Sequence, residues 1–242
     1  MARITLNRPD RLNSFGDDLL ADLQGALSEV DRNDAVRAIV LTGAGRSFCA
    51  GEDLREFEPK ARDTASARRH VAAIQNVTRR LMHSSKIIIA AAHGYAVGGG
   101  FEWLLNCDLV VAADNLVAFF PEMDWAQFPT GGISWLLPRS VGYQRAIELV
   151  VLGERQTAGR LQELGLVNWV VPQDRMLPMA LEVADRIASK PGFSVARFKK
   201  LVNQDLFPLA RALDLEEQAT VEAFGRPEAA RRAARFASRK RR

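Results

Sequence analysis

Short apolar runs of β type alternate along the chain with stretches in which apolar residues return every three or four positions. Runs of the first kind occupy Arg3–Leu6, Ala38–Thr42, Lys86–Ala91, Asp108–Ala112, Val117–Phe120 and Val167–Val171. The helical period appears at Asp17–Val30, at Ala65–Met82 and, past Pro138, at Tyr143–Leu152 and Ala158–Leu164. From Asp174 onward the pattern is helical nearly throughout, with breaks at Pro191–Gly192, Pro208 and Gly225–Pro227. Such alternation predicts an α/β body followed by an all-helical C-terminal third, and argues against a helix bundle. With no internal repeat and no low-complexity linker, the expected boundary near residue 172 divides two closely packed parts, 1–172 and 173–242, and is not a flexible hinge.

Composition narrows the setting. A chain of 242 residues, 48 % hydrophobic and 26 % charged, can bury a sizeable core as one large domain, or as one domain with a small helical appendage. The longest uninterrupted apolar run, Ile87–Ala92, falls far short of the ~20 residues that cross a bilayer, and the N-terminus has no apolar segment of signal-peptide type. The expectation is a cytoplasmic protein without a membrane partner. Cys49 and Cys107 are too few for a disulfide framework and lack zinc-site spacing, so both are expected as reduced thiols and no metal is expected. The formal charge of +4 is concentrated at the end, where Arg231, Arg232, Arg235, Arg239, Lys240, Arg241 and Arg242 stand with no acid among them; the rest is slightly acidic. No motif that reads RNA or DNA accompanies this tail, so nucleic acid is not an expected partner.

The chemistry lies in two glycine turns. "HGYAVGGGFEW", residues 93–103, follows a predicted strand and precedes a predicted helix, Phe101–Asn106. A phosphate-binding loop would need Lys and Ser or Thr after its last glycine, whereas Phe101 stands there, and no third glycine falls at the offset of a dinucleotide fingerprint. What remains is a turn whose backbone N–H groups are free, in the positive end of a helix dipole, a device for holding an oxyanion. "GRSFCAGEDL", residues 45–54, also follows a strand and leads into a predicted helix, so the two turns together offer a two-donor pocket. Serine-hydrolase chemistry lacks support: the histidines are His70, His83 and His93, no Gly-x-Ser-x-Gly elbow exists, and His93 is expected to be structural.

The segments "ITLNRPDRLNSF" (4–15), "VRAIVLTGAGRSFCAGEDL" (36–54), "IIIAAAHGYAVGGGFEWLLNCDLVVAAD" (87–114), "FPEMDWAQFPTGG" (120–132), "AGRLQELGLVNWVVP" (158–172) and "RFASRKR" (235–241) together resemble the crotonase superfamily, the enoyl-CoA hydratase and isomerase group. The resemblance implies a spiral of ββα units, with residues 173–242 as a helical region that builds a homotrimer, often stacked as a hexamer. It implies an acyl-CoA thioester substrate, no cofactor beyond the coenzyme A that the substrate carries, and backbone N–H groups of Glu52 and Gly99 as oxyanion donors. Glu102 and Glu122 stand where the hydratases place their two acids, expected here to orient water and to deliver a proton to C2 respectively. An isomerase needs one base, generally at the Glu122 position, and an aryl-propenoyl-CoA hydratase-lyase is a further alternative; outside catalysis, a CoA-binding scaffold is the alternative. Arg11 and Ala50 are implied near the nucleotide end of CoA, Glu52, Asp53, Leu54 and Arg55 along the pantetheine and thioester, and Phe236 and Arg239 from the last helix.

The sequence departs from the family pattern at three places. Glu52 replaces a small or apolar residue, and its carboxylate is expected to turn to solvent. Trp125, Gln127, Phe128 and Trp135 bring bulk where the family has a glycine-rich turn; this either narrows or reshapes the acyl pocket, which puts short, cyclic or aromatic groups on a par with a straight fatty chain, or is ordinary core. Only Met1–Arg3 precede "ITLNRP", where the family usually has a further strand.

Overall fold

Five parallel strands carry the core: β1 (Ala2–Leu6), β2 (Ala38–Gly43), β3 (Ile87–Ala92), β5 (Leu109–Ala113) and β8 (Trp169–Val171), side by side in that order. This computed structural model describes residues 1–55, 64–203, 207–224, 226 and 231. β2 is buried along its whole length, as a parallel strand covered on both faces must be. Its residues alternate between two apolar layers. Ala38 and Val40, with Ile89 and Val111, pack against Met176, Ala180 and Val183 of the helix α7 (Gln173–Ala188). Ile39, Leu41 and Ile88 face the other way, into a layer with α1 (Asp17–Arg32) and α2 (Thr64–His83).

A second, smaller sheet holds β4 (Tyr95–Val97), β6 (Val117–Phe119) and β7 (Gln156–Thr157), with β4 parallel to β6 and β7 antiparallel to it. The chain leaves the main sheet after β3, turns at His93–Gly94 and enters the small sheet as β4 before α3 (Gly99–Asn106). It repeats the move from β5 to β6, followed by the short 3-10 turn Glu122–Trp125 and α4 (Ile133–Val141). Each ββα unit thus gives one strand to each sheet, the spiral that the resemblance implies. Cys49 sits at the junction, fully buried, bridging to Ala96 of β4 and donating its thiol to the Asn13 carbonyl at 3.2 Å.

Further elements among the described residues are a 3-10 turn (Pro9–Arg11), α5 (Tyr143–Ile147), a π turn (Glu148–Leu152), α6 (Ala158–Glu163), α8 (Gly192–Val202) and α9 (Phe207–Phe224). α8 is pinned by Lys199, whose buried Nζ donates to the carbonyls of Leu81 and Lys86 and to the Asp108 carboxylate at 2.7 Å. α9 packs on α2 and α4: Leu209 and Leu213 lie against Met82 and Trp135, and Gln75 donates to the Leu213 carbonyl.

Four sequence expectations need correction. β4 and β7, three and two residues long, are too short to register as periodic runs. The helix after the triple glycine begins at Gly99, not Phe101. α4 runs through Pro138, which the pattern treats as the barrier before the next helix. Pro208 does not interrupt a helix; it lies in the first turn of α9, where its missing N–H has no intrahelical partner to lose. Among the described residues no helix is long and apolar enough to cross a membrane.

Candidate active site

The two glycine turns meet. Gly98 adopts φ +52, and a Cβ there would stand 2.6 Å from Oε1 of Glu122; only glycine satisfies both demands. Gly51, at φ +83, would push a Cβ to 2.6 Å from the Val97 carbonyl and 3.8 Å from the Gly99 nitrogen. The backbones therefore abut with no side chain between them. Gly99 opens α3, so its N–H has no intrahelical acceptor. Neither it nor the Glu52 N–H donates to any group among the described residues, and both residues line one cavity of about 430 Å³.

Glu102 reaches that cavity from the first turn of α3 and is 1 % exposed. Its Oε1 accepts the Thr130 N–H at 2.9 Å, and its buried Oε2 has no partner. Burial, then the charges of Glu122 and Glu216, push its carboxyl well above the usual carboxylate range against the N–H groups of Thr130 and Gly131. Glu122 follows Pro121 on the 3-10 turn. The residue is half-buried, yet its Oε2 is shut off from water without a partner. Burial raises this carboxyl to about 7, its own backbone N–H opposes the rise, and the Glu52 charge adds to it. Glu216, buried on α9, accepts the Gly132 N–H at 2.7 Å and the Ser134 N–H at 2.8 Å. It thereby caps α4 and steadies the loop that holds Glu102.

Of the residues singled out from sequence, Ala50, Glu52, Leu54, Gly99, Glu102 and Glu122 line the cavity. Arg11, Asp53 and Arg55 do not. Arg11 is exposed on the short turn Pro9–Arg11, and Asp53 pairs with Arg8 at 3.3 Å and accepts the Arg55 N–H. Phe236 and Arg239 lie outside the described residues, and the predicted helix after Asp53 is described only at Leu54–Arg55. Glu52 overturns its expectation: the carboxylate does not turn to solvent but lies against the cavity wall, Oε1 2.7 Å from Nε2 of His70. Trp125, Gln127 and Phe128 do line the cavity, whereas Trp135 packs with Met82, Leu209 and Leu213 under the Arg139 guanidinium. His93 is structural, its Nε2 2.9 Å from the Gly45 carbonyl.

Sequence reasoning missed several wall residues: His70 from α2, Arg155 ahead of β7, and Thr220 and Phe224 from α9. No local motif marks them. His70 is the one with a usable signal, a histidine on the largely apolar buried face of an amphipathic helix.

Fold and site together define an α/β protein whose two sheets converge on an amide-lined cavity holding paired acids. The chain matches the family model for enoyl-CoA hydratase/isomerase over residues 1–240 and belongs to that family, the crotonase group. It is 36 % identical over 216 residues, 88 % of this chain and 82 % of the relative, to 1,2-epoxyphenylacetyl-CoA isomerase of Escherichia coli. It is 33 % identical over 226 residues, 93 % and 86 % of the two chains, to short-chain-enoyl-CoA hydratase of Clostridium acetobutylicum. The crystal structure of an enoyl-CoA hydratase/isomerase from Mycobacterium paratuberculosis superposes with a TM-score of 0.89 at 29 % identity, covering 96 % of this chain and 93 % of that one. Relatives are named for isomerisation as well as hydration, so membership alone does not choose between them.

Proposed function

We propose that the protein hydrates a 2-enoyl-CoA thioester by syn addition of water. One observation carries this reading: two carboxylates, the buried Glu102 and the half-buried Glu122, border one cavity beside two backbone amides that lack acceptors. In the proposed reaction the Glu52 and Gly99 N–H groups hold the thioester oxygen as it gains enolate charge, a contribution of order 10²–10³ per donor in rate. Glu102 takes a proton from water as its oxygen bonds to C3, and Glu122 gives its proton to C2. The two acids titrate as a pair, and proton transfer between them or with solvent restores the starting state. The Thr130 N–H favours the anion at Glu102 and the Glu52 charge favours the proton at Glu122, which supports this division of roles against the general effect of burial on Glu102.

The CoA portion is proposed to run past Ala50 and the Glu52–Arg55 segment, with Arg11, Phe236 and Arg239 toward its nucleotide. No cofactor beyond the substrate's own CoA is proposed. A homotrimer or hexamer in the cytoplasm completes the reading, supported by the apolar residues that α8 leaves outward, Phe193, Phe198 and Val202; sedimentation would test it. Loss of enoyl absorbance on mixing with crotonyl-CoA or cinnamoyl-CoA tests the reaction, the second ester because Trp125 and Phe128 suit a ring. Hydration of neither, alongside clear CoA binding, would favour a scaffold.

A second reading is isomerisation with Glu122 as the single base. It is favoured by the depth of Glu102, where burial pushes the carboxyl well above the usual carboxylate range and so opposes its use as the ionised base. Conversion of a 3-enoyl-CoA to its conjugated isomer, without hydration of crotonyl-CoA, would select it.

A further inference from the structure

Glu52 is a third acid on the cavity wall, and its side chain is clamped. His70 is nearly inaccessible, its side chain 2 % exposed, and each ring nitrogen faces a carboxylate oxygen: Nδ1 is 2.9 Å from Asp17 Oδ1 and Nε2 is 2.7 Å from Glu52 Oε1. With both side chains ionised as carboxylates, both contacts are attractive when both nitrogens carry protons. The contact with Glu52 is short but poorly aligned for a hydrogen bond, so it is chiefly an attraction of charge. Asp17 lies on α1, Glu52 just ahead of Leu54, and His70 on α2, so three separate parts of the chain converge to fix one carboxylate that the family pattern does not call for.

We propose that Glu52, clamped by His70, is a positioning residue whose fixed negative charge beside the paired acids favours the proton-bearing form of Glu122. This rests on the reading of Glu122 as the proton donor to C2. Among the described residues, other charged groups also stand near Glu122. Glu102 comes from α3, Asp124 shares its own turn, and Arg155 lies over the Phe119 ring at 5.5 Å. Asp53 is taken up by Arg8. Of these, Arg155 favours the ionised form, as does the His70 cation beyond the nearer Glu52 charge, and the two acids act in the same sense as Glu52. Glu52 differs in being held by a side-chain counter-ion, His70, whose Nε2 stands 2.7 Å from its Oε1.

The test compares Glu52→Gln, which removes the charge and keeps the shape, with Glu52→Asp, which keeps the charge. The protonation of Glu122 is read without turnover from the glutamate carboxyl signals in a ¹³C NMR titration, assigned with Glu122→Gln. Its midpoint is expected to fall by roughly one pH unit in Glu52→Gln and to stay near the parent value in Glu52→Asp. The hydration rate at pH 7 should drop about fivefold in the first variant as its pH profile moves to lower pH by the same amount. Hydration with an unmoved Glu122 midpoint in Glu52→Gln would overturn the proposal and leave the hydratase reading standing. A shifted midpoint in a protein that hydrates nothing would keep the electrostatic pairing and remove the hydratase reading.

Discussion

Gly131 has no room for a side chain: a Cβ would come within 2.7 Å of Glu102 Oε2 and 2.9 Å of its Cβ. Gly131→Ala should therefore move the carboxylate away from the Thr130 N–H and cut turnover by one to two orders of magnitude, on the scale by which displacing a reacting group costs about 10²-fold. A variant with parental kcat would show that Glu102 needs no fixed placement. Glu102→Gln and Glu122→Gln should each slow hydration by about 10²–10⁴ while leaving acyl-CoA affinity nearly unchanged, because neither acid binds the ground state. Glu102→Gln should also melt at higher temperature than the parent at pH 8. There the parent must either ionise a buried acid or retain its proton at a cost, and the amide does neither. An unchanged melting temperature at pH 8 would mean that the Thr130 and Gly131 N–H groups already compensate the charge.

Elements decide which of these residues were legible beforehand. β1, β2, β3, β5, β6 and β8 announce themselves as apolar runs, and Gly99, Glu102 and Glu122 sit in contiguous motifs, so sequence reached them. β4 and β7 have too few residues to show a period. α4 survives Pro138 because one lost hydrogen bond is outweighed by the burial of Ile133 and Leu137, a tertiary effect that no local pattern carries. Glu216 was invisible for a related reason, since its role depends on α9 lying across the start of α4. Glu216→Ala would leave the Gly132 and Ser134 N–H groups without an acceptor and should cost about 1–3 kcal/mol. Urea unfolding reads that loss. Turnover should fall as well, because the Thr130–Gly132 loop is what holds Glu102; full activity in a destabilised variant would confine Glu216 to capping.

At the scale of the molecule, four acids among the described residues shape the response to pH. Burial raises the carboxyls of Glu102, Asp108, Glu122 and Glu216 above their ordinary values. From the ordinary carboxylate range up to about pH 7 the folded chain thus holds more protons than the unfolded one, and stability must fall as pH rises. His83, lowered by burial and by the nearby Arg79 and Lys199 charges, acts in the opposite sense as a single group. The melting temperature is therefore expected to be higher at pH 5.5 than at pH 8, which differential scanning fluorimetry would check; a higher value at pH 8 would contradict the burial of these acids. Cys49, wedged where the two sheets meet, gives a last consequence. Its thiol is raised to about 12, and burial raises that of Cys107 too, so neither offers the thiolate that alkylating reagents require. Maleimide should leave the native protein essentially unlabelled and take up two equivalents once urea is added, so a cysteine introduced at any exposed position can carry a fluorophore alone.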